Sequence, residues 1–357
     1  MKIKNQVQRF LFILGVAFTL FSCDEDKEVI KVLPTIVEIA KADANFSILA
    51  DALKKTGLET TLNSPGSYTV FAPTNAAFNA AGITIAFVNN LSITNPADKP
   101  AIDNLRLVLQ NHLLGVGTRA DDLVAFGYSR TFVLPNNRTG NNLFVNKSGN
   151  DFLINGGTAT TVGAKITKSD IDASNGVVHV IDRILGQPTL VDHIVANPDL
   201  STLLTIVSSN STTATYGDQT LIKNQLTNAT AAAPLTVFAP NNAAFKTATD
   251  PGGYLTTVPV NEANIRKILQ YHVSAGNLTS NSATAWRPVT EATDFNVTTQ
   301  APGASANQRF RIEKGTVKLY ELPALPATVP ASLLKTVNIQ ATNGVIHIID
   351  RVLRPVL

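Results

Sequence analysis

Ten residues of this chain occur twice. Thr69-Val70-Phe71-Ala72-Pro73-Thr74-Asn75-Ala76-Ala77-Phe78 returns as Thr236-Val237-Phe238-Ala239-Pro240-Asn241-Asn242-Ala243-Ala244-Phe245, with a single position changed. Asn175-Gly176-Val177-Val178-His179-Val180-Ile181-Asp182-Arg183 likewise returns as Asn343-Gly344-Val345-Ile346-His347-Ile348-Ile349-Asp350-Arg351. Between these lies a looser pair, Asn104 to His112 and Asn264 to His272. The blocks keep their order at offsets of 167, 160 and 168 residues. A fixed order with drifting offsets means one domain copied twice with loop insertions, not a short-period solenoid. The copies divide as 33–186 and 187–357, joined by the short linker Gly186-Gln187-Pro188.

Within each copy the texture changes once. Ile36, Val37, Ile39 and Ala40, then Phe46, Ile48, Leu49, Ala52 and Leu53, have helical spacing. They predict two short helices broken near Asp43-Ala44-Asn45 and closed by Gly57. Asn63 to Ser67 is turn chemistry. Tyr68 to Ala72 reads as a strand stopped by Pro73, with Thr74 or Asn75 capping the short helix that follows. Phe71, Pro73 and Phe78, and their partners Phe238, Pro240 and Phe245, are expected to anchor the core at this corner. Ile102 to Leu113 is an amphipathic helix. From Thr131 to Ile184 short apolar runs (132–134, 143–145, 152–154, 164–166) predict an antiparallel sheet. Asn175-Gly176 reads as its tight turn. Val177 to Leu185, apolar on both faces, reads as a central closing strand. Domain two restarts at Leu190. Its insertions are a Ser/Thr-rich stretch, Ser208 to Thr220, and the Pro-rich Leu322 to Pro326; domain one has one at Asn89 to Lys99. Loops of this kind are where binding is usually placed.

The three blocks together resemble the fasciclin (FAS1) family: Phe-Ala-Pro-x-Asn-x-Ala-Phe, a Tyr-His block, and Asn-Gly-x-x-His-x-Ile-Asp. The resemblance covers nearly everything from Pro34 to Leu353. It implies an α+β fold in two tandem copies, each a twisted antiparallel β-sheet wedge packed with several short α-helices. Two departures stand out. Asn75 and Asn242 sit where the family often has Asp, and Asn111 stands where the second copy keeps Tyr271. The family's Tyr-His block is implicated in binding adhesion receptors, which makes Tyr271, His272, Asn111 and His112 the partner-binding candidates, while the helical apolar spacing around them predicts a helix end packed on the sheet.

Ahead of the first domain, Lys2, Lys4 and Arg9 precede an apolar run from Phe10 to Phe21, too short for a comfortable bilayer span. Residues 1–22 therefore read as a secretory signal. Leu20-Phe21-Ser22-Cys23 resembles a bacterial lipobox, which makes Cys23, the sole cysteine, the lipid-attachment candidate. Residues 23–32 would then be the tether. Its acidic cluster, Asp24-Glu25-Asp26-Lys27-Glu28, resembles the export signal of Bacteroidetes-type surface lipoproteins. The expected address is the cell envelope, as an outer-membrane lipoprotein displayed on the surface. Removing the signal takes the formal charge from +3 to zero, which leaves no electrostatic footprint for nucleic acid.

Chemistry was sought and not found. Four of the five histidines are the repeat pairs His112/His272 and His179/His347, and His193 stands alone. No metal-ligand spacing, nucleophile elbow, phosphate loop or calcium loop occurs. His179 and His347 read as buried, hydrogen-bonded strand residues. The expectation is a non-enzymatic surface protein, without cofactor or metal, that binds an extracellular protein or polysaccharide. The alternative is a glycan-capture accessory lipoprotein of an outer-membrane uptake system, for which the single tryptophan, Trp286, is the one aromatic platform in view.

Overall fold

A computed structural model describes residues 32–132, 140–157, 162–212, 215–245, 261–279, 295–303, 308–313, 318–322 and 331–357. Cys23, the acidic tether, Trp286 and the Pro-rich stretch beyond Leu322 lie outside the described residues.

Thr35 opens the first helix. Its hydroxyl accepts the Glu38 N–H, and the Glu38 carboxylate accepts the Thr35 N–H in return, which satisfies two amides that a helix start leaves free. Thr189 and Asp192 repeat the device in domain two. Helix α1 (Ile36–Ala42) gives way to a 3-10 turn at Ala44–Phe46 and then to α2 (Ser47–Thr56). Gly57 ends α2 at φ 75°, a conformation that favours glycine. Periodicity missed α3 (Leu58–Asn63), because six residues are too few to show a period. Next come α4 (Asn75–Ala80), α5 (Ile85–Asn90), α6 (Lys99–Asn111) and α7 (Ala120–Phe126). Domain two has α8 (Leu190–Ala196), α9 (Ser201–Val207), α10 (Thr220–Asn228) and α11 (Glu262–Tyr271). The expected helix from Ile102 to Leu113 stops two residues earlier, because Leu113 and Leu114 leave it to pair with a strand.

Domain one's strands are β1 (Tyr68–Pro73), β2 (Leu113–Leu114), β3 (Tyr128–Arg130), β4 (Asn142–Ser148), β5 (Asp151–Ile154), β6 (Ala164–Ala173) and β7 (Gly176–Ile181). They lie in the order β2-β1-β7-β6-β5-β4-β3. Domain two repeats that order with β9 (Val273–Ala275), β8 (Leu235–Pro240), β14 (Gly344–Ile349), β13 (Ser332–Ala341), β12 (Lys318–Leu322), β11 (Arg309–Ile312) and β10 (Phe295–Thr298). The pairings are antiparallel with one exception per domain: β1 runs parallel to β7, and β8 to β14. Local patterning could not reveal this. A parallel neighbour needs a long crossover, and here it is nearly the whole domain.

The hairpin turn falls one residue earlier than the Asn-Gly dipeptide suggests. Ser174 and Asn175 make the turn, and Gly176 already pairs in β7. Gly176 has φ 152°, and a Cβ there would lie 2.0 Å from the Tyr68 carbonyl oxygen. Gly344 is in the same position against Leu235. The glycine is thus required by close approach to the parallel strand rather than by the turn.

Side chains alternate across each sheet. In β1, Val70 and Ala72 face the helical layer with Val178 and Val180 of β7. Phe71 faces the opposite side, with Leu123, Val145, Ile154 and Ile181. Domain two builds the same two layers, the second around Phe238, Tyr271 and Phe310. Phe78 is fully buried. Its counterpart Phe245 is only half-buried, in a 3-10 turn over Ala243–Phe245.

The chain from Leu33 to Leu357 is one compact unit. At the seam between domains, the Tyr128 ring of domain one lies 5.7 Å from His193 on α8, and its hydroxyl accepts from Asn197 at 3.2 Å. Asn142 Oδ1 accepts the Gln340 N–H at 2.8 Å. Burial pushes the Tyr128 phenol above its ordinary pKa.

Candidate functional site

The repeated blocks meet at His112 and His272. His112 terminates α6, and its carbonyl accepts the Phe71 N–H of β1 at 2.9 Å. Its Nδ1–H donates to the Val108 carbonyl at 2.7 Å, and Nε2 accepts the Leu185 N–H at 2.8 Å. One residue thereby ties the long helix, the signature strand and the segment after the closing strand. His272 makes the same three links, to Phe238, Ile268 and Leu353.

His179 and His347 serve the β-bulge. The register slips beside them in β6 and β13, with Asp170 and Asn338 at φ 59° and 60°. A bulge leaves an amide unpaired, and here the Asp170 and Asn338 N–H groups donate to Nδ1 of His179 (3.1 Å) and His347 (3.3 Å). The opposite ring nitrogens donate to the carbonyls of Thr118 and Leu278. Each ring stacks on its signature phenylalanine, Phe71 at 5.6 Å and Phe238 at 5.2 Å.

Two further repeated residues have roles that local reading did not find. Thr74 caps its own helix, whereas Asn75 reaches back to α2, which has no side-chain cap of its own. Asn75 Oδ1 accepts the Ile48 N–H at 3.0 Å, and Nδ2 donates to the Ala44 carbonyl and to Ser47 Oγ. Asn242 does the same for α9 through Thr202, Pro198 and Ser201. Asn175 accepts the Ile36 N–H and donates to the Leu62 carbonyl, and Asn343 pairs likewise with Leu190 and Leu226. The one signal in the sequence was that these asparagines repeat.

The geometry changes the expectation for the Tyr-His block. Asn111, His112, Tyr271 and His272 are 3%, 1%, 0% and 4% exposed. Tyr271 OH donates to the Arg309 carbonyl at 2.6 Å, and Asn111 Nδ2 to that of Gly186 at 2.7 Å. A partner at the outer surface does not reach these side chains, because the helix end carrying them packs between the sheet and the C-terminal segment. No histidine is more than 4% exposed. Burial pushes His112, His193, His272 and His347 down to about 4 and lowers His179, partly offset by the carbonyl each ring donates to. These rings are neutral at pH 7 and are occupied with backbone groups, which suits scaffolding rather than proton transfer. Among the described residues there is no cluster of three or more His, Cys, Asp or Glu able to hold a metal, and no helix long and apolar enough to cross a membrane.

What faces outward at the seam is a cavity of about 460 Å³. Its walls come from the end of α6, residues beside β3 and β4, the linker, and the β13–β14 hairpin. Elsewhere Ser208 to Thr220 is less open than expected: Asn210 and Asp218 form a bridge, and Gln219 is buried with Nε2 donating to the Tyr216 carbonyl.

The family model described as Fasciclin domain matches residues 44–188 and 208–355. Transforming growth factor-beta-induced protein ig-h3 of Sus scrofa is 29% identical over 174 residues, 49% of this chain and 22% of that protein. Periostin of Homo sapiens is 25% identical over 301 residues, 82% of this chain and 29% of its own length. Protein sll1483 of Synechocystis is 30% identical over 155 residues, 43% of this chain and 74% of that one. A solved FAS1 domain pair from the insect cell adhesion molecule Fasciclin I aligns over 89% of this chain and 96% of its own, with a TM-score of 0.46 and 19% identity. This chain thus spans about a quarter of the two animal proteins. On the family match, whose two regions follow the internal repeat and together cover most of the chain, the chain belongs to the fasciclin domain family and carries two fasciclin domains in tandem.

Proposed function

We propose that this chain is a non-enzymatic adhesion or ligand-binding protein of the cell surface, held to the outer membrane by lipid on Cys23. Its partners are an extracellular protein or polysaccharide. The observation that carries the reading is the use of the repeated histidines and asparagines. These chemically capable residues are shared by the copies and are engaged mainly with backbone groups. What remains for function is an outer surface on a doubled scaffold. Two fasciclin domains on one chain also suit attachment, because a second weak contact gains from the first. Two or three acyl chains on the N-terminal cysteine would hold such a protein firmly, where one chain is marginal.

The test is display of the full chain on cells, beside Cys23→Ser and empty cells, over immobilised matrix proteins, polysaccharides and whole cells. Wild type is expected to fractionate with membranes, take up labelled fatty acid and attach. Cys23→Ser should lose both the label and the attachment. Equal attachment by all three cell types, or a wild-type chain without label, would sink the proposal.

A further inference from the structure

The cavity at the domain seam has a volume and a lining that together specify a ligand. About 460 Å³ falls within the roughly 300–1,000 Å³ of small-molecule sites. Domain one contributes Gln110, Phe132 and Asn141, the linker contributes Gln187, and domain two contributes Asn277. Among the described residues, none that lines it is ionisable. A charged ligand would shed water there and meet no counter-charge, which is costly. Side-chain amides each offer donors and an acceptor, the combination that a hydroxyl, itself donor and acceptor, can match from either side. Phe132, half-buried and edge-on to Tyr68 at 6.0 Å, adds an apolar face.

The Asn111 side chain adds little to this wall: it is 3% exposed, its amide nitrogen is held by the Gly186 carbonyl, and Oδ1 is out of contact with solvent. An extended peptide is a poorer match. Such a ligand adds to a free strand edge, and here the Gln340 N–H is already given to Asn142. The Gln340 side chain is likewise given to the Ala341 and Gly344 carbonyls.

We propose that this interdomain cleft binds a neutral saccharide, one or two uncharged sugar rings of a polysaccharide. The inference rests on the surface-binding role proposed above and assigns it a site and a ligand class. Gln187 is exposed at the cleft and Ala231 lines it from an exposed bend, so both can be changed without disturbing the core; Asn277 is exposed too but donates to Gln340 Oε1 at 3.3 Å.

The test is calorimetric titration of the full chain in detergent. The probes are cellobiose, maltose and diacetylchitobiose, a digalacturonate as charged counterpart, and a capped tri-alanine peptide. Thermal melts check that each variant folds. At least one neutral disaccharide is expected to bind and the digalacturonate is not. Ala231→Trp should weaken that binding by at least about tenfold by occupying the cleft, and Gln187→Ala with Asn277→Ala by about tenfold through lost hydrogen bonds. No binding of any neutral disaccharide, binding that survives Ala231→Trp, or binding of the peptide instead would overturn the proposal. Displayed Ala231→Trp cells separate the two readings. Attachment retained without sugar binding leaves the adhesive role standing and removes the cleft. Attachment absent even in wild type removes the adhesive role, and the titration still decides the cleft.

Discussion

Behind their shared histidines the two domains are built differently. In domain one the residue before the histidine is Asn111; in domain two it is Tyr271, whose ring lies 6.0 Å from Phe310 within a fully buried cluster. The same divergence recurs at the repeated Asp-Arg pair. Arg351 is buried against Glu321, with 4% exposure for each residue. Arg183 is half-exposed beside Asp182 at 3.5 Å. Counting along the β5–β6 and β12–β13 registers puts Gly156 where Glu321 stands. Duplication has therefore kept the hydrogen-bonding roles of the paired histidines and asparagines while the opposite sheet face and the domain seam changed. Identical residues in the two copies mark what the fold requires. Residues that differ mark where one copy has been free to acquire something of its own.

The largest expected consequence lies at Glu321. Its carboxylate receives Arg351 Nη2 at 2.8 Å and the Arg354 N–H at 3.2 Å, out of contact with solvent. Glu321→Ala strands a guanidinium whose Nε and Nη1 already lack partners, and removing one member of a buried pair typically costs about 3–5 kcal/mol. Arg183→Ala, at an exposed pair, should cost less than about 1 kcal/mol. Urea unfolding of both variants checks the contrast. Equal losses would mean that the two domains are not built differently at this pair.

Acid sharpens the comparison next. An unfolded chain binds protons on histidine near its ordinary pKa of 6.5, whereas the folded His112, His193, His272 and His347 refuse them until about 4. Falling pH therefore favours the unfolded chain, from about 6.5 down to about 4, by up to roughly 3 kcal/mol per ring. Three of those four rings belong to domain two, and His193 replaces Ile39 of domain one. Domain two should unfold first on acidification. His193→Ile should flatten the loss by about 1.4 kcal/mol per pH unit within that window, even though the Gln340 carbonyl loses the 3.3 Å bond from Nε2. Unfolding at pH 7 and 4.5 reads it directly; an unchanged acid loss in the variant would refute the account.

How much of this was legible beforehand follows the range of the interactions. The caps at Gly57 and Thr74 involve neighbours within a few residues, and the sequence carries them openly. The parallel β1–β7 pair joins Tyr68 to Gly176 across the domain, and nothing local encodes it. Gly176 shows how a correct dipeptide can carry the wrong reason: it looks like turn chemistry and is demanded by the Tyr68 carbonyl instead. The Tyr-His block was a binding candidate only through the family resemblance, whereas its helical apolar spacing pointed to packing on the sheet. Its burial depends on the segment after the closing strand, 73 residues from His112, folding back over it. The seam cleft was illegible for the same reason, being assembled from segments of both copies.

The smallest effect is the most discriminating about the copies themselves. Asn75→Asp keeps the oxygen that accepts the Ile48 N–H and loses the nitrogen that donates to the Ala44 carbonyl at 2.8 Å. The new carboxylate faces that carbonyl, which is unfavourable, but it also sits at the N-terminus of α2, where negative charge is worth about 0.3–1 kcal/mol. The opposing contributions are similar in size, so the net change should stay within about 1 kcal/mol. Asn242→Asp faces the same balance at α9 with the Pro198 carbonyl at 2.9 Å. The two melts should therefore shift alike. A difference greater than about 1 kcal/mol, beyond the scatter of an independent surface change, would mean that the corner has diverged as well, as Phe245 on its 3-10 turn already hints. Equal shifts would confine divergence to the far sheet face and the seam.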